Sequence, residues 1–394
     1  MAVISRVDVL TALLPFRLSF GHALAERRSS TNVYVKVTVD DGHIGFGEGV
    51  PREYVTGETV EGAVMALAER FGPALVGRAV SDVDAVPGML EDVRQSAAAG
   101  AGLDSAAWCA LELAALDALG KSFDCSVQRW LGPEASPAVW YDAIIPFVKP
   151  RLLLPIALLV RALRFKHVKI KVGSKLDDDL RALRILRRVL GPGADLRVDA
   201  NCAWTADEAL EAIRQMRQYR ISAVEQPLPA DDLDGLRRVT AATSETIIVD
   251  ESLRNEDDAR RLVDARACDA FNIRVSKCGG LLASQRIGRI ASDAGLACVV
   301  GAQVGESGLL SAAGRHFAAS LPAVRYVEGS AGRLLLKEDL TTENVLPGLG
   351  GKARTFRGPG LGVHVNPKTL EKYGQLRRTL EPTRTSLGVT LSAK

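Results

Sequence analysis

The strongest constraint on the fold of this chain is a rhythm of about 26 residues between the polar ends of short apolar segments. From residue 168 onward, short apolar runs alternate with segments whose apolar residues recur every three or four positions, as in 168–172, 178–190 and 196–198. Such alternation is typical of parallel strands connected by helices. The apolar runs end at Lys171, Asp199, Glu225, Asp250, Lys277, Ala302 and Glu328. With a first strand over 139–145, the pattern predicts the eight βα units of a TIM (β/α) barrel.

The N-terminal third of the chain has a different pattern. Valines alternate with polar residues over 33–39, and Asp41-Gly42 provides a turn into a second strand over 44–48, which predicts an antiparallel hairpin. Helical spacing of apolar residues follows over 58–71 and again over 108–119. Strands followed by helices predict an α+β domain.

These patterns divide the chain into four parts. We expect an α+β capping domain over 1–135 and a modified (β/α) barrel over 136–350, so that the fold class is α/β. The segment 351–380 is expected to return to the capping domain. The polar residues 381–394 are expected to form a flexible tail.

Composition excludes several classes of function. The 50 Lys and Arg residues nearly balance the 47 Asp and Glu residues, which gives no electrostatic reason to expect nucleic acid or a membrane surface as a partner. The six cysteines form no C-x-x-C pair and are expected to be reduced. Because no signal-peptide pattern opens the sequence, we expect a cytoplasmic protein.

Three consecutive predicted strands end in carboxylates, at Asp199, Glu225 and Asp250. The C-terminal ends of barrel strands converge, so these groups would repel each other unless a cation neutralised them. All-oxygen ligands select a hard cation such as Mg²⁺, and Mn²⁺ is compatible with the same set. The alternative is that each carboxylate caps the helix that follows its strand.

Lysines lie at the strand ends on either side of the carboxylates. Lys169 and Lys171 are two residues apart and therefore point to the same face of their strand, and Lys277 lies four strands further round the barrel. A lysine beside other cations loses proton affinity and can act as a base at neutral pH, and we expect Lys169 and Lys171 to lower each other's pKa. The alternative is that the three lysines are solvent-facing strand ends.

Motifs along the chain resemble those of a known family. The barrel segments are Lys169-Ile-Lys171-Val-Gly173, Val198-Asp199-Ala-Asn201, Val224-Glu225-Gln226-Pro227, Asp250-Glu251-Ser252 and Lys277-Cys-Gly-Gly280. Together they resemble the five barrel motifs of the enolase superfamily, in its muconate-lactonizing enzyme (muconate cycloisomerase) subgroup. Gly45-Phe-Gly-Glu48 and 111–117 resemble motifs of the superfamily's capping domain. The segment 358–362 resembles the strand by which the C-terminus returns to that domain.

The resemblance implies a role for each matching position. Asp199, Glu225 and Asp250 match the Mg²⁺ ligands. Lys171 and Lys277 match bases on opposite faces of the substrate carbon, and Lys169 matches the lysine that tunes Lys171. Asn201 and Glu251 match neighbouring polar positions. The implied chemistry is removal or return of a proton α to a carboxylate, with the metal stabilising the enolate.

The substrate is predicted from the cap and the last two strand ends. His22 and Tyr54 lie in two cap segments expected to close over the barrel, and Glu306 and Glu328 lie at the seventh and eighth strand ends. Glu328 resembles the glutamate of muconate cycloisomerases, and the Asp-x-Asp of dipeptide epimerases is replaced by Glu328-Gly-Ser330. The sequence therefore favours a muconate-type cycloisomerase acting on a small carboxylate.

Other functions stay open at this point. They are a racemase or epimerase of N-substituted amino acids or dipeptides, a dehydratase similar to succinylbenzoate synthase, and a catalytically silent metal-binding or scaffold protein. A homo-oligomer is expected for a chain of this class.

Overall fold

The computed structural model describes residues 1–22, 25–97 and 104–382, with side chains described throughout except at 18–22 and 25–27. The strands in chain order are β1 (Ala2–His22), β2 (Ala25–Val39), β3 (Ile44–Gly49), β4 (Ala79–Val80), β5 (Ala138–Trp140), β6 (Ala143–Ile145), β7 (His167–Lys171), β8 (Asp195–Asp199), β9 (Ile221–Glu225), β10 (Thr246–Val249), β11 (Ala270–Arg274), β12 (Ala297–Gly301), β13 (Val324–Val327), β14 (Lys352–Arg354) and β15 (Gly374–Leu380).

The α-helices are α1 (Glu53–Thr56), α2 (Val60–Ala66), α3 (Gly72–Leu75), α4 (Val86–Ala97), α5 (Ser105–Ser122), α6 (Gln128–Leu131), α7 (Pro150–Ala162), α8 (Leu176–Leu190), α9 (Ala206–Met216), α10 (Leu233–Ala242), α11 (Glu256–Asp264), α12 (Leu281–Asp293), α13 (Gly308–Ser320), α14 (Gly332–Leu335) and α15 (Pro367–Tyr373). A π-helical turn over Leu67–Phe71 joins α2 to α3, and 3-10 turns lie at Val83–Ala85, Arg217–Tyr219 and Leu349–Gly351. Within the described ranges, none of these helices combines the length and the apolar character needed to cross a bilayer.

The eight strands β6 to β13 form one parallel sheet in which each strand pairs with its neighbours in the sequence. The backbone N–H of Asp142, just before β6, donates to the carbonyl oxygen of Val327 in β13 at 2.8 Å, which joins the first strand to the last. The predicted α/β barrel is therefore confirmed. The predicted extent of its first strand, 139–145, was wrong. The strand is interrupted at 141–142, and its first part, β5, pairs with β14 outside the barrel.

The N-terminal domain is an antiparallel sheet in the order β15-β1-β2-β3, with β4 added to β1. The predicted hairpin is β2–β3, and Gly42 takes a φ of 90° in its turn, a conformation that glycine adopts without steric cost. Glycines of β3 lie against α5: a Cβ at Gly45 would come 2.1 Å from the backbone nitrogen of Ala118, and one at Gly47 would come 2.1 Å from the carbonyl oxygen of Ala110. Alternate glycines thus let the sheet approach an alanine-rich helix face.

The strand by which the C-terminal segment joins the sheet of the first domain lies later in the chain than the predicted 358–362. β15 pairs antiparallel with β1, from Val7 opposite Leu380 to Ala12 opposite Gly374. The segment 358–362 is not that strand, because its backbone bonds to a helix instead: the N–H of Leu361 donates to Asp117 in α5 at 2.8 Å. The domain boundaries predicted from the sequence stay predictions, and so does the homo-oligomeric state. The predicted tail, 381–394, lies outside the described residues from 383 onward.

Buried carboxylates of the cap reach the N-termini of two barrel helices. Glu48 accepts from the backbone N–H of Ser307 at 2.9 Å and from its hydroxyl at 2.6 Å, where α13 begins. Glu112 accepts from the N–H of Leu282 at 3.1 Å, in the first turn of α12. Negative charge is stabilised at helix N-termini. Because helices begin just beyond the C-terminal ends of the preceding strands, these contacts place the cap at that end of the barrel.

Candidate active site

Three buried carboxylates lie side by side at this end of the barrel. Asp199 and Glu225 are the last residues of β8 and β9, and Asp250 follows the last residue of β10. Each is at most 1% exposed. Adjacent parallel strands that end in acids bring these groups to one edge of the sheet, as the 26-residue rhythm predicts.

Lys169 lies beneath the carboxylates as a buried cation. Its ammonium nitrogen is 3.1 Å from Oε1 of Glu225, 3.4 Å from Oδ2 of Asp199 and 2.6 Å from Oε1 of Glu328. Burial lowers the pKa of Lys169, but the charges of these carboxylates outweigh burial and raise it. The sequence predicted a lowered pKa for Lys169, and in this ion-paired arrangement the pKa is raised instead.

Two further lysines flank the row of carboxylates, one at each side. The ammonium nitrogen of Lys171, at the end of β7, is 3.2 Å from Oδ2 of Asp199. The ammonium nitrogen of Lys277 is 2.7 Å from Oδ1 of Asp250 and donates to the backbone oxygen of Asp250 at 2.5 Å. Lys277 lies three residues beyond the end of β11, in the turn before α12, and not at a strand end as predicted. Burial lowers its pKa to about 8.

Sequence reasoning missed three polar residues that complete this layer. Arg197 of β8 is fully buried, contacts Glu328, and bonds to Oε2 of Glu225 at 2.5 Å and to Asp142 at 2.9 Å. Asn272 of β11 donates to Oε1 of Glu225 at 2.9 Å, and Arg274 of the same strand bonds to Asp250.

A signal for these residues was present in the sequence. Arg197 precedes Asp199 by two positions, and Asn272 and Arg274 alternate with apolar residues, so each pair shares one face of its strand. A polar residue two positions before a polar strand end in an apolar run marks the barrel interior.

Gln226 fixes the backbone that carries Asp250. Its side-chain oxygen accepts from the N–H of Asp250 at 2.8 Å and from that of Ser252 at 3.2 Å. Its side-chain nitrogen donates to the hydroxyl of Ser252 at 2.8 Å. Gln226 itself has a φ of 36°, a strained value for a residue with a side chain. The Glu-Gln-Pro segment therefore holds two neighbouring strand ends in register.

The residue types of this donor set, whose donors are all oxygen atoms, suit a hard divalent cation. Next to the three carboxylates, Asn201 donates to Oε1 of Glu251 at 3.0 Å, and Asn201 also contacts Lys171. The other oxygen of Glu251, Oε2, is buried and has no hydrogen-bond partner within the described part of the chain. Burial and the charge of Asp199 raise the pKa of Glu251. An excess of buried oxygen donors of this kind is what Mg²⁺ neutralises.

The carboxylates are held by ammonium and guanidinium groups in this structure. Among residues 1–22, 25–97 and 104–382, no three His, Cys, Asp or Glu side chains are placed closely enough to hold a metal ion. Lys169, Lys277 and Arg274 form ion pairs with these carboxylates.

The four residues predicted to contact substrate lie in different surroundings. Glu328 is buried in the ion-pair layer with Lys169 and Arg197. Glu306 accepts from the N–H of Gln303 at 2.6 Å, and burial together with the charge of Glu48 raises its pKa to about 8. Tyr54 is half-exposed on α1, and its contact with substrate stays a prediction. The side chain of His22 lies outside the described residues.

Family comparisons agree with this arrangement over nearly the whole chain. Residues 1–132 match the family described as "Mandelate racemase / muconate lactonizing enzyme, N-terminal domain". Residues 156–369 match "Enolase C-terminal domain-like". The chain belongs to the enolase superfamily. The sequence resemblance to this superfamily is thereby confirmed.

Several relatives within the enolase superfamily are racemases or epimerases of amino acid derivatives. The N-succinyl-L-Arg/Lys racemase of Bacillus cereus is 27% identical over 94% of this chain and 97% of its own length, and its crystal structure gives a TM-score of 0.87 while covering 95% of this chain and all of that one. The hydrophobic dipeptide epimerase of Enterococcus faecalis is 30% identical over 80% of this chain and 87% of its own. Its structure with Mg and L-Leu-L-Tyr gives a TM-score of 0.82 and covers 92% of this chain and 99% of that one.

A muconate lactonizing enzyme from Mycobacterium smegmatis, complexed with muconolactone, gives a TM-score of 0.85 at 27% identity and covers 95% of this chain and all of its own. Backbone similarity alone does not separate these reactions. The sequence comparisons, however, favour the racemase and epimerase alternative over the muconate cycloisomerase that the sequence reading preferred. Glu328, on which the preference for a cycloisomerase depended, forms buried ion pairs with Lys169 and Arg197.

Proposed function

We propose that this protein is a Mg²⁺-dependent racemase or epimerase that inverts the α-carbon of an amino acid whose nitrogen is acylated. The observation that carries this proposal is the order of groups around the C-terminal end of the barrel: Lys171, Asp199, Glu225, Asp250 and then, in the turn after β11, Lys277. A lysine at each side of the acidic row is the arrangement that a reaction with two opposed bases requires. A cycloisomerisation needs only one of these lysines to transfer a proton.

Each residue has a separate task in the proposed reaction. Asp199, Glu225 and Asp250 would hold the metal, which would supply positive charge close to the carboxylate of the substrate. Lys171 in its neutral form takes the α-proton from one face, and Lys277 in its protonated form returns a proton to the other. For the opposite enantiomer the two lysines exchange roles. Lys169 remains protonated and keeps Asp199 and Glu225 close together.

The eighth strand end favours an acylated nitrogen over a free ammonium group. A free α-ammonium group would require a carboxylate partner near the substrate. Glu328 is the acid at this position, and its side chain is 3% exposed and bonded to Lys169 at 2.6 Å. The next two residues, Gly329 and Ser330, carry no charge. The similarity to the N-succinyl-L-Arg/Lys racemase of Bacillus cereus over nearly the full length of both chains supports the same substrate class.

A dipeptide is the second candidate substrate. It is favoured by the hydrophobic dipeptide epimerase of Enterococcus faecalis, which is 30% identical to this chain. In a dipeptide the inverted residue can have its nitrogen in the peptide bond, so the α-carbon chemistry is the same for both candidates.

Deuterium exchange tests the proposal directly. The protein, with Mg²⁺ in D₂O, is incubated with N-succinyl and N-acetyl amino acids, with dipeptides and with cis,cis-muconate, and NMR and chiral chromatography follow each mixture. We expect N-acylated amino acids to lose the α-proton signal and to undergo inversion. We expect neither change when the metal is chelated. Conversion of muconate to a lactone with no α-exchange in any amino acid derivative would overturn the proposal.

Substitution of each lysine separates two-base from one-base chemistry. Lys171→Ala and Lys277→Ala should each lower racemisation by at least about 10³-fold, because each removes one positioned proton carrier. Each variant should still exchange the α-proton of one enantiomer, and the two variants should prefer opposite enantiomers. If one variant loses exchange equally for both enantiomers and the other variant shows no loss, a single base carries the reaction.

A further inference from the structure

A second cleft lies at the opposite end of the barrel from the lysines and carboxylates. It has a volume of about 400 Å³ and is bounded by the beginnings of β7 and β13, by β5 and by the end of α13. This volume is within the range of about 300–1,000 Å³ that small-molecule sites occupy. Its position at the N-terminal ends of the strands makes it separate from the proposed active site.

The charged residues that line this cleft are all basic. Lys166, His167 and Arg325 line it, and within the described part of the chain none of its lining residues is Asp or Glu. The whole chain has almost equal numbers of basic and acidic residues, so this local excess is not a property of the composition. Field lines from cations in a concave, low-dielectric surface favour an anionic ligand.

Two of these cations have donors available to a ligand. Lys166 is exposed, and no side-chain hydrogen bond or ion pair involves its ammonium group among the residues that the structure describes. Arg325 donates from Nη1 to the hydroxyl of Thr246 at 2.6 Å, which leaves other N–H groups of its guanidinium. His167, in contrast, is 3.3 Å from Oδ2 of Asp195, behind the cleft, so its charge is balanced locally.

The remaining walls are apolar and include one exposed aromatic ring. Val139, Leu321 and Val327 are buried apolar residues of the lining, and Trp140 is 47% exposed, with the ammonium nitrogen of Lys352 5.6 Å from the centre of its ring. An exposed Trp face beside apolar walls can cover a flat, apolar group. The cleft thus combines an apolar floor with cations on one side.

A layer of buried side chains separates this cleft from the proposed active site. Tyr326 donates to Asp195 at 3.0 Å, and the guanidinium carbon of Arg197 lies 4.6 Å from the centre of the Tyr326 ring. Arg197 in turn bonds to Glu225. A ligand in the cleft therefore would not compete sterically with a substrate at the strand ends.

We propose that this cleft is a binding site for a small organic anion with an apolar body, of the aryl carboxylate class. The apolar body packs against Val139, Leu321 and Trp140, and the carboxylate lies toward Lys166 and Arg325. The neutral analogue of such a ligand loses both charged hydrogen bonds and binds more weakly.

The test is isothermal titration calorimetry of the full chain with 2-naphthoate and with the neutral 2-naphthylmethanol. We expect one molecule of 2-naphthoate to bind, with an affinity at least about ten-fold higher than that of the alcohol. The double variant Lys166→Gln/Arg325→Gln should lower the affinity for 2-naphthoate at least about ten-fold and leave that for the alcohol nearly unchanged. The matched control Lys368→Gln removes an exposed positive charge from α15 and should change neither affinity.

A carboxylate could also bind at the proposed active site, so Lys277→Ala serves as a second control. Retained binding in this variant supports the cleft. If Lys277→Ala abolishes binding while the double variant binds normally, the anion is at the strand ends and the proposal is wrong. Absence of binding at millimolar 2-naphthoate, or equal affinity for the acid and the alcohol, overturns it as well. None of these outcomes depends on the proposed racemase reaction.

Discussion

Glu328 shows how burial changes the meaning of a residue that sequence reasoning assigns to substrate. Its carboxylate bonds to Lys169 and Arg197, and these charges hold its pKa at about 2 although burial alone would raise it. Glu328→Gln leaves two buried cations without this partner, and loss of one member of a buried ion pair costs about 3–5 kcal/mol. We expect urea unfolding to show a loss of this size.

The matched control is Glu338→Gln, which breaks an exposed ion pair with Lys372 and should lower the unfolding free energy far less. Kinetics distinguish the two roles of Glu328. A variant with native stability and a raised KM for the identified substrate would place Glu328 at the substrate instead.

Most charged residues of the site could be predicted from the sequence because strand-end polarity and motif spacing report which groups converge. Lys169, Lys171, Asp199, Glu225 and Asp250 lie where the 26-residue rhythm puts them. The partners that decide their charge could not be predicted, because ion pairing between strands depends on side-chain reach across the barrel. The raised pKa of Lys169 follows from such contacts.

At the scale of elements, the glycines of β3 make the packing of the cap testable. The Cβ of Gly47→Ala would lie 2.1 Å from the carbonyl oxygen of Ala110, so β3 and α5 must separate. Overpacking of this kind costs about 1–3 kcal/mol, and we expect a loss in the upper part of this range in urea unfolding.

Gly88→Ala is the matched control for the same change at an exposed position of α4. A Cβ there would meet nothing within 4 Å, and alanine favours the helix, so this variant should gain about 0.5–1 kcal/mol. Equal effects of the two substitutions would contradict the close approach of β3 to α5.

The elements with a clear period were predictable, and the short or interrupted ones were not. Alternation of valines gave the β2–β3 hairpin because one face of that sheet is buried. The split of 139–145 into β5 and β6 has no local signal, since both parts are apolar and the choice of partner strand is made by β14, far away in the sequence. The return strand β15 escaped prediction for a similar reason: it is mostly exposed and pairs with β1.

At the scale of the whole molecule, cap and barrel form one hydrogen-bonded structure at the end that carries the proposed active site. The second glycine of the Gly-Gly pair after Lys277-Cys278 allows the cap to approach the barrel here. A Cβ at Gly280 would lie 2.2 Å from Oε1 of Glu112 in the cap. The two-domain architecture was predictable from a change of pattern along the chain. The carboxylates that join the two domains were not predictable, because the N–H groups at a helix N-terminus can donate to any nearby carboxylate.

His316 of α13 gives this assembly a pH dependence that can be measured. The imidazole is 1% exposed, with Nε2 3.2 Å from the carbonyl oxygen of Leu361 and Nδ1 3.3 Å from Oε1 of Gln128, so it joins the barrel to the C-terminal segment and to α6. Burial lowers its pKa from 6.5 to about 4. Between these values the unfolded chain binds a proton that the folded chain excludes, so stability falls as pH decreases from 6.5 to 4. At pH 5 this loss of stability amounts to about 2 kcal/mol, from about 1.36 kcal/mol per pKa unit.

His316→Gln removes the titrating group. The unfolding free energy of this variant, measured in urea from pH 7 to pH 4.5, should decrease less steeply than that of the native chain. Parallel curves for the two proteins would show that His316 is protonated in the folded state.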